Sequence, residues 1–439
     1  MGATTSVLPR WGLAAVMVLA LVGQGWGQVK GGPPLPEATT AWLKANAVEV
    51  ATLDMYEDRL DDLAPLKEML RDARIVLLGE QSHQDGATFR AKARLVRFLH
   101  QEMGFEVLAF ESGLYECDRA NKLLVPGKDV RQAMYSAVFP AWQVAEALPV
   151  FEYAAWSGGT PRPLLLAGFD LRLSGSGAAN LMPRLLAFLG TATRLPTNQT
   201  AWLMGLDEAV RKVDYAPDEA TRGTSLALLA HLRDTFDQSR EHLERRHGAR
   251  ETEFYSRVLD NLRAYEQFWY LQQGKKASLR ECGNLRDAQM ADNIRWLAEQ
   301  YYPDKKLICW CATYHAMHGL QGITNKGRPA YVGTQNMGSL VREHFGPAAY
   351  VVGFTAHHGQ RGAPFAKVAP LPTPAEGSLE DLLHRYGAPL LFVNLRQPGP
   401  FSDRLLCSAL GYAPMEASWP EVFDGLFFTD EMTPSSALQ

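Results

Sequence analysis

Apolar residues in this chain cluster in short, uninterrupted runs, separated by stretches in which apolar positions recur every three or four residues. The runs are Arg74–Gly79, Glu106–Phe110, Pro163–Gly168, Lys306–Cys311, Tyr350–Gly353, Leu390–Asn394 and Val422–Phe428. A strand buried on both faces needs no polar alternation, so such runs are the pattern of a parallel sheet covered by helices on each side. Their alternation with helical-period segments is the βα signature. The pattern therefore predicts an α/β fold with a mostly parallel central sheet flanked by helices.

The texture changes between Ser176 and Asn293, where no strand-like run occurs and charges recur at helical spacing, as in Arg233–Arg246. This segment predicts a large all-helical insertion whose charge run is a solvated helix face. It splits the α/β domain into a first part, 28–175, and a second part, 294–439. Because the insertion leaves just after Asp170 and returns just before the run ending at Cys311, it is expected to pack beside the sheet rim and wall a cleft there. Its aromatics Tyr265, Phe268, Trp269 and Tyr270 either line that cleft or form the insertion's own core. Gly362–Pro374 reads as a Pro-rich loop.

Residues 1–27 have the make-up of a signal peptide: Arg10, the short apolar core Trp11–Gly23, then Gly25 and Gly27 before a cleavage ahead of Gln28. The expectation is an exported protein, periplasmic or extracellular. No other run reaches the roughly 18–20 residues of a membrane helix, so no stable membrane association is expected once the signal is removed.

At 46% hydrophobic and 21% charged over 439 residues, the composition is that of a folded chain and excludes general disorder. Balanced charge, 44 Lys+Arg against 48 Asp+Glu, argues against a nucleic-acid partner. The five cysteines, Cys117, Cys282, Cys309, Cys311 and Cys407, form no metal-ligand ladder and read mostly as buried apolar fillers. The oligomeric state is not legible.

In an open parallel sheet, ligands bind at the carboxyl ends of the strands. The polar residues just past each run are Glu80 and His83, then Glu111, then Asp170, then His315 and His318, then His357 and His358. Two carboxylates and two histidines on one rim suit either a general-base hydrolase or a divalent-metal site. Asp170 is expected to cap the next helix, and His318, His357 and His358 to be ordinary loop histidines. Lys92 and Arg97, on an amphipathic helix opening after His83, are placed to hold an active-site carboxylate. No G-x-S-x-G elbow is present, which argues against a serine hydrolase of the α/β type.

The segments Leu77–His83 (L-L-G-E-Q-S-H), Leu95–Leu99, Met103–Phe105 and Leu108–Glu111 resemble the erythromycin esterase family. Gly168–Asp170, Arg286–Leu297, Met337–Leu340 and Phe423–Phe428 extend the likeness from about Leu53 to Pro434. The resemblance implies an erythromycin esterase-like fold and a cofactor-free, metal-independent hydrolase acting on a small-molecule ester, including macrolide lactones. It implies that His83 deprotonates water and that Glu80 and Glu111 orient and polarise. His315 falls on the family's second histidine region, and Lys92 and Arg286 on its basic positions. Family members acting on macrolides read A-H-N-A-H after the fourth strand. Here the stretch is Ala312-Thr-Tyr-His315, so Ala312 replaces the first histidine. Two alternatives stay open at the sequence level: a metal- or haem-binding protein of the same broad superfamily, and a non-catalytic small-molecule binder.

Overall fold

The computed structural model describes residues 34–210 and 217–438, so the expected signal segment lies outside the described residues. Thirteen strands occur among them, in chain order β1 (Ala47–Glu49), β2 (Ile75–Leu78), β3 (Phe105–Gly113), β4 (Leu165–Asp170), β5 (Lys306–Trp310), β6 (Thr324–Asn325), β7 (Arg328–Pro329), β8 (Ala349–Ala363), β9 (Ala366–Pro370), β10 (Leu390–Asn394), β11 (Leu405–Leu410), β12 (Ala413–Ala417) and β13 (Gly425–Met432). The main sheet has the order β1-β10-β13-β8-β2-β5-β3-β4, and β9 pairs with β8 alone. From β13 to β4 all neighbours are parallel.

Side-chain alternation divides the core in two. Ile75, Leu77, Val107, Ala109 and Cys309 face one side, packed with Leu181, Phe236, Phe254, Tyr265 and Phe268 of the predicted insertion. Val76, Leu78, Leu108, Phe110, Ile308 and Trp310 face the other, packed with Phe89, Leu95, Val96 and Phe98 of the Gly86–Met103 helix. Neither face is wet, which is why these strands read as unbroken apolar runs. The Gly86–Met103 helix stops at Gly104, whose φ of 73° gives the left-handed turn that a side chain would resist.

Between residues 176 and 293 the described residues form helices joined by turns and irregular segments, with no strand and with long helices at Glu219–His247 and Ala249–Gln273. Of the four aromatics there, Tyr265 and Phe268 belong to the core, and Tyr270 is buried with the Arg222 guanidinium 3.7 Å over its ring. A Ser278–Glu281 capping box starts the next helix, Leu279–Trp296, with two reciprocal hydrogen bonds. That helix runs past the expected boundary at 293.

Three features differ from the sequence reading. The Leu390–Asn394 run is β10, antiparallel to β13 and β1, because an apolar run encodes burial and not direction. The Pro-rich stretch is not a loop throughout: Ala366–Pro370 folds back as β9 on the far end of β8, an edge position where proline's missing N–H costs nothing. A second sheet, β11-β12-β6-β7, lies outside the seven apolar runs: β6 and β7 are two residues each, and the apolar Leu405–Leu410 of β11 reaches them only through β12. No helix among the described residues is long and apolar enough to cross a membrane. All five cysteines are buried and unpaired.

The end of β3 lies against β4 with no space between them. A Cβ added at Gly168 would sit 2.2 Å from the Gly113 carbonyl oxygen and 2.6 Å from that of Ser112. Gly168→Ala is therefore expected to destabilise the fold by about 1–3 kcal/mol through forced backbone displacement. Urea denaturation measures this, and an unchanged midpoint would refute the close-approach argument.

Candidate active site

Four adjacent strands, β2, β5, β3 and β4, end at one rim, and Glu80, His83, Lys92, Glu111, Arg286 and His315 meet there. They form two ion-paired clusters.

The first is centred on Glu80, just past β2, whose side chain is fully buried. Its Oε1 accepts from His83 Nδ1 at 2.6 Å and from Trp142 Nε1 at 2.9 Å; its Oε2 accepts from Lys92 Nζ at 2.5 Å. Lys92, nearly two turns into the Gly86–Met103 helix, is wholly buried, with Nζ also donating to the Cys311 carbonyl and lying 4.4 Å over the Trp310 ring. Burial pulls the Lys92 pKa below its usual value, and Glu80 only partly offsets this. Arg97 is elsewhere, donating to the carbonyls of Met55 and Glu57.

The Glu80–His83 loop is pinned on three sides. Thr313 N–H donates to the Glu80 carbonyl, Ser82 N–H donates to the Asp85 carboxyl, and Gly411 N–H from the β11–β12 turn donates to the Gln81 carbonyl. Burial pushes Asp85 up to about 8, so this carboxyl carries a proton at neutral pH.

His83 is about one-third exposed, with its ring edge-on to Trp142 at 5.3 Å. Burial would lower its pKa, but the Glu80 hydrogen bond and the charges of Glu80 and Glu111 outweigh burial and raise it above 6.5. With Nδ1–H held by the carboxylate, the lone pair sits on Nε2, which has no partner among the described residues.

The second cluster is centred on Arg286, inside the Leu279–Trp296 helix. Its Nε and Nη2 grip Asp170 at 3.1 and 2.6 Å, Nη2 also reaches Glu111 Oε1 at 2.6 Å, and Nη1 lies 3.0 Å from His315 Nε2. A break in the β3–β4 register between Phe110 and Gly113 surrounds Glu111, the kind of irregularity that re-aims a side chain at a strand end. Burial opposes ionisation of Glu111, but the charges of His315 and Arg286 prevail and hold its pKa well below the usual range. Asp170 is likewise lowered against burial by Arg286 and Arg172.

His315 has both nitrogens engaged: Nε2 with Arg286, and Nδ1 at 2.7 Å from Asp287 Oδ1, which also accepts the Met337 N–H. Ala312 supplies no imidazole, but its N–H donates to Glu111 Oε2 at 2.9 Å.

Several participants were not read as functional in the sequence. Asp170 does not cap a helix by its side chain but anchors two arginines. Asp287, adjacent to Arg286, could have been found from the R-D pair that opens the helical motif. Trp142 gave no signal, because its indole looks like any core aromatic. His318 lies away from the rim cluster, against Arg342 and Asp424, and His357 and His358 lie on β8 rather than in a loop.

Arg286 is ion-paired to two buried carboxylates of the rim at once. Arg286→Met is expected to cost about 3–5 kcal/mol at pH 7, the usual effect of leaving buried charge unpaired. Both carboxylates have folded-state pKa values below their ordinary 4.5 and 3.8, so their contribution is present above those values and is lost as pH falls through the folded ones. Without Arg286 they take up protons at higher pH, so the gap between the proteins narrows on acidification. Denaturant titrations at pH 7 and pH 4 measure it; a constant gap would show that the carboxylates are not what Arg286 stabilises.

A family model described as erythromycin esterase matches residues 100–432. Over 432 aligned residues the chain is 26% identical to the Bacillus subtilis protein named "Putative hydrolase YbfO", covering 90% of this chain and 91% of that one. Two crystal structures share the fold at 17% sequence identity. One is a Bacillus cereus protein with a TM-score of 0.75, covering 91% of this chain and 98% of the other. The second is a mutant of the erythromycin esterase EreC in its open conformation, with a TM-score of 0.65 over 89% of this chain and 99% of that one. With most of its length matched by that family model, and with a hydrolase relative aligned nearly end to end, the chain belongs to the erythromycin esterase family.

Proposed function

We propose that the protein hydrolyses a carboxylic ester by direct attack of water, with His83 as general base and no metal ion. The observation that carries this is the His83 ring, with Nδ1 fixed by buried Glu80 and Nε2 free at the rim. Nε2 removes a proton from water as the oxygen adds to the ester carbonyl, and the resulting imidazolium is stabilised by Glu80. Arg286 spends its Nε–H and both Nη2 hydrogens on Asp170 and Glu111, leaving Nη1, which lies beside His315, to donate to the developing oxyanion. Collapse breaks the C–O bond, and the imidazolium returns its proton to the departing alkoxide, or to the ring-opened hydroxyl when the ester is a lactone. Lys92, buried behind Glu80, positions that carboxylate and does not touch substrate.

A metal-binding reading finds less support. Glu80 and Glu111, the carboxylates a metal would need, are already ion-paired to Lys92 and Arg286, and His315 is taken up by Arg286 and Asp287. Nor does the missing imidazole at Ala312 favour a binder that has lost turnover, since the Ala312 backbone N–H still satisfies Glu111.

His83→Ala is expected to keep the thermal midpoint while lowering hydrolysis of any accepted ester by a factor of about 10² or more, the usual loss with a general base. A panel of macrolides and simple esters, followed by mass spectrometry with and without chelator, identifies the substrate. Undiminished turnover by the folded variant would remove His83 from the mechanism, and loss of activity to chelator would replace it with a metal.

The pH dependence gives a separate check. The base must be neutral and its pKa is raised, so kcat/KM is expected to climb with pH along a limb centred above 6.5. Glu80→Gln should move that limb to lower pH and reduce the plateau. A limb that stays in place would dissociate Glu80 from the ionisation that governs rate.

A further inference from the structure

Away from the rim, β8 continues beyond the end of its pairing with β2 at Val352 and stays paired with β13. On this outer stretch stand His357 and His358, with Asp430 on β13 and His384 on the Leu379–Tyr386 helix packed over both strands. One ligand atom from each of these four residues lies within 4.8 Å of the other three. His357 Nδ1 is 3.3 Å from His358 Nδ1, and His384 Nδ1 is 2.6 Å from Asp430 Oδ1. His358 Nδ1 is 3.9 Å from the same oxygen. Neighbouring strand residues ordinarily point to opposite faces. Here β8 bends at Gly359, whose φ is 105°, directly after the histidine pair whose rings converge.

We propose that these four side chains form a binding site for a divalent transition-metal ion, zinc being the best fit to a three-imidazole, one-carboxylate set. The spacing is close to what coordination demands. Metal legs of about 2.0–2.1 Å in a tetrahedron place ligand atoms roughly 3.3 Å apart, the separation of the two adjacent imidazoles. The rings of His357 and His384 lie parallel with centroids 3.7 Å apart, and parallel planes cannot both aim a lone pair at one ion. His384 is 42% exposed, so binding would turn its ring out of the stack toward solvent, with the ion replacing the proton it shares with Asp430. All four ligands come from the protein, leaving no open position, so the ion would clip the Leu379–Tyr386 helix to β8 and β13 and take no part in hydrolysis. None of the four contacts the Glu80 or Arg286 clusters, so the proposal is independent of the esterase reading.

The test uses the full chain without a polyhistidine tag, stripped with chelator and titrated with zinc by calorimetry. The expected result is one equivalent bound, with a higher thermal midpoint. Cobalt should give the intense visible absorption of tetrahedral coordination. His384→Ala and His357→Gln should each weaken zinc binding at least ten-fold while matching the wild-type midpoint in chelator and the wild-type ester hydrolysis, and Asp430→Asn provides a third variant should either fail to fold. His83→Gln should bind zinc normally. No binding by the wild type, or equal binding by these surface variants, would overturn the proposal. Binding lost in His83→Gln but retained in His384→Ala would move the ion to the rim and overturn it as well.

Discussion

The rim depends on one guanidinium. Arg286 reaches from a helix of the inserted segment onto the ends of two strands, gripping Asp170 of β4 and Glu111 of β3, and it fixes the His315 ring from a third direction. Two carboxylates fully out of water would each be costly to ionise and would repel one another. A planar cation with a forked set of donors satisfies both at once, which a lysine ammonium in the same place would do with less directional control. The helical segment is thereby tied to the sheet by electrostatics at the point where the chemistry is proposed, in addition to the apolar packing of Phe254, Tyr265 and Phe268 below it.

Glu80 and Lys92 make a second buried pair with a different purpose. Neither side chain touches solvent, so their mutual attraction must first offset the desolvation of both, and such pairs often contribute little net stability. Their value lies in geometry. Lys92 takes one carboxylate oxygen, Trp142 and His83 share the other, and the imidazole is left with a single orientation and a single tautomer. In the proposed reaction, an imidazole fixed in this way loses no freedom when substrate arrives.

Much of this was legible in the sequence for a definite physical reason. Residues such as Val76, Leu108 and Ile308 are covered on both faces of the sheet, so their strands had to be apolar throughout, and the polar residue after each run had to stand at the rim. That logic located Glu80, Glu111 and His315 without any knowledge of contacts. It failed where the sequence carries no direction or partner. The apolar run at Leu390–Asn394 is the same whether its neighbour is parallel or antiparallel. Trp142 is an ordinary core tryptophan until its Nε1–H is seen to meet Glu80, and Asp170 is a strand-end aspartate until two arginines close on it. β11 is an apolar run like the others, and nothing in it signals that the Gly411 N–H in the turn after it meets the Gln81 carbonyl.

The loop that carries Glu80 and His83 is completed by backbone from residues numbered above 360. Gly411 donates to Gln81, Thr433 accepts from Gly86, and Gly362 and Ser435 both donate to Gln84. During synthesis the ribosome releases His83 long before any of these partners exists. The β3–β4 pair can form early, but β2 meets its neighbours β5 and β8 only after residue 305 has been made, and the loop at its tip gains these four backbone partners last of all. A chain cut short before Gly425 would lose β13, which stands between β10 and β8 in the main sheet, together with the Thr433 and Ser435 contacts that shape the loop around His83. Quality of the finished molecule is read out at residue 83, although it is decided some hundreds of positions later.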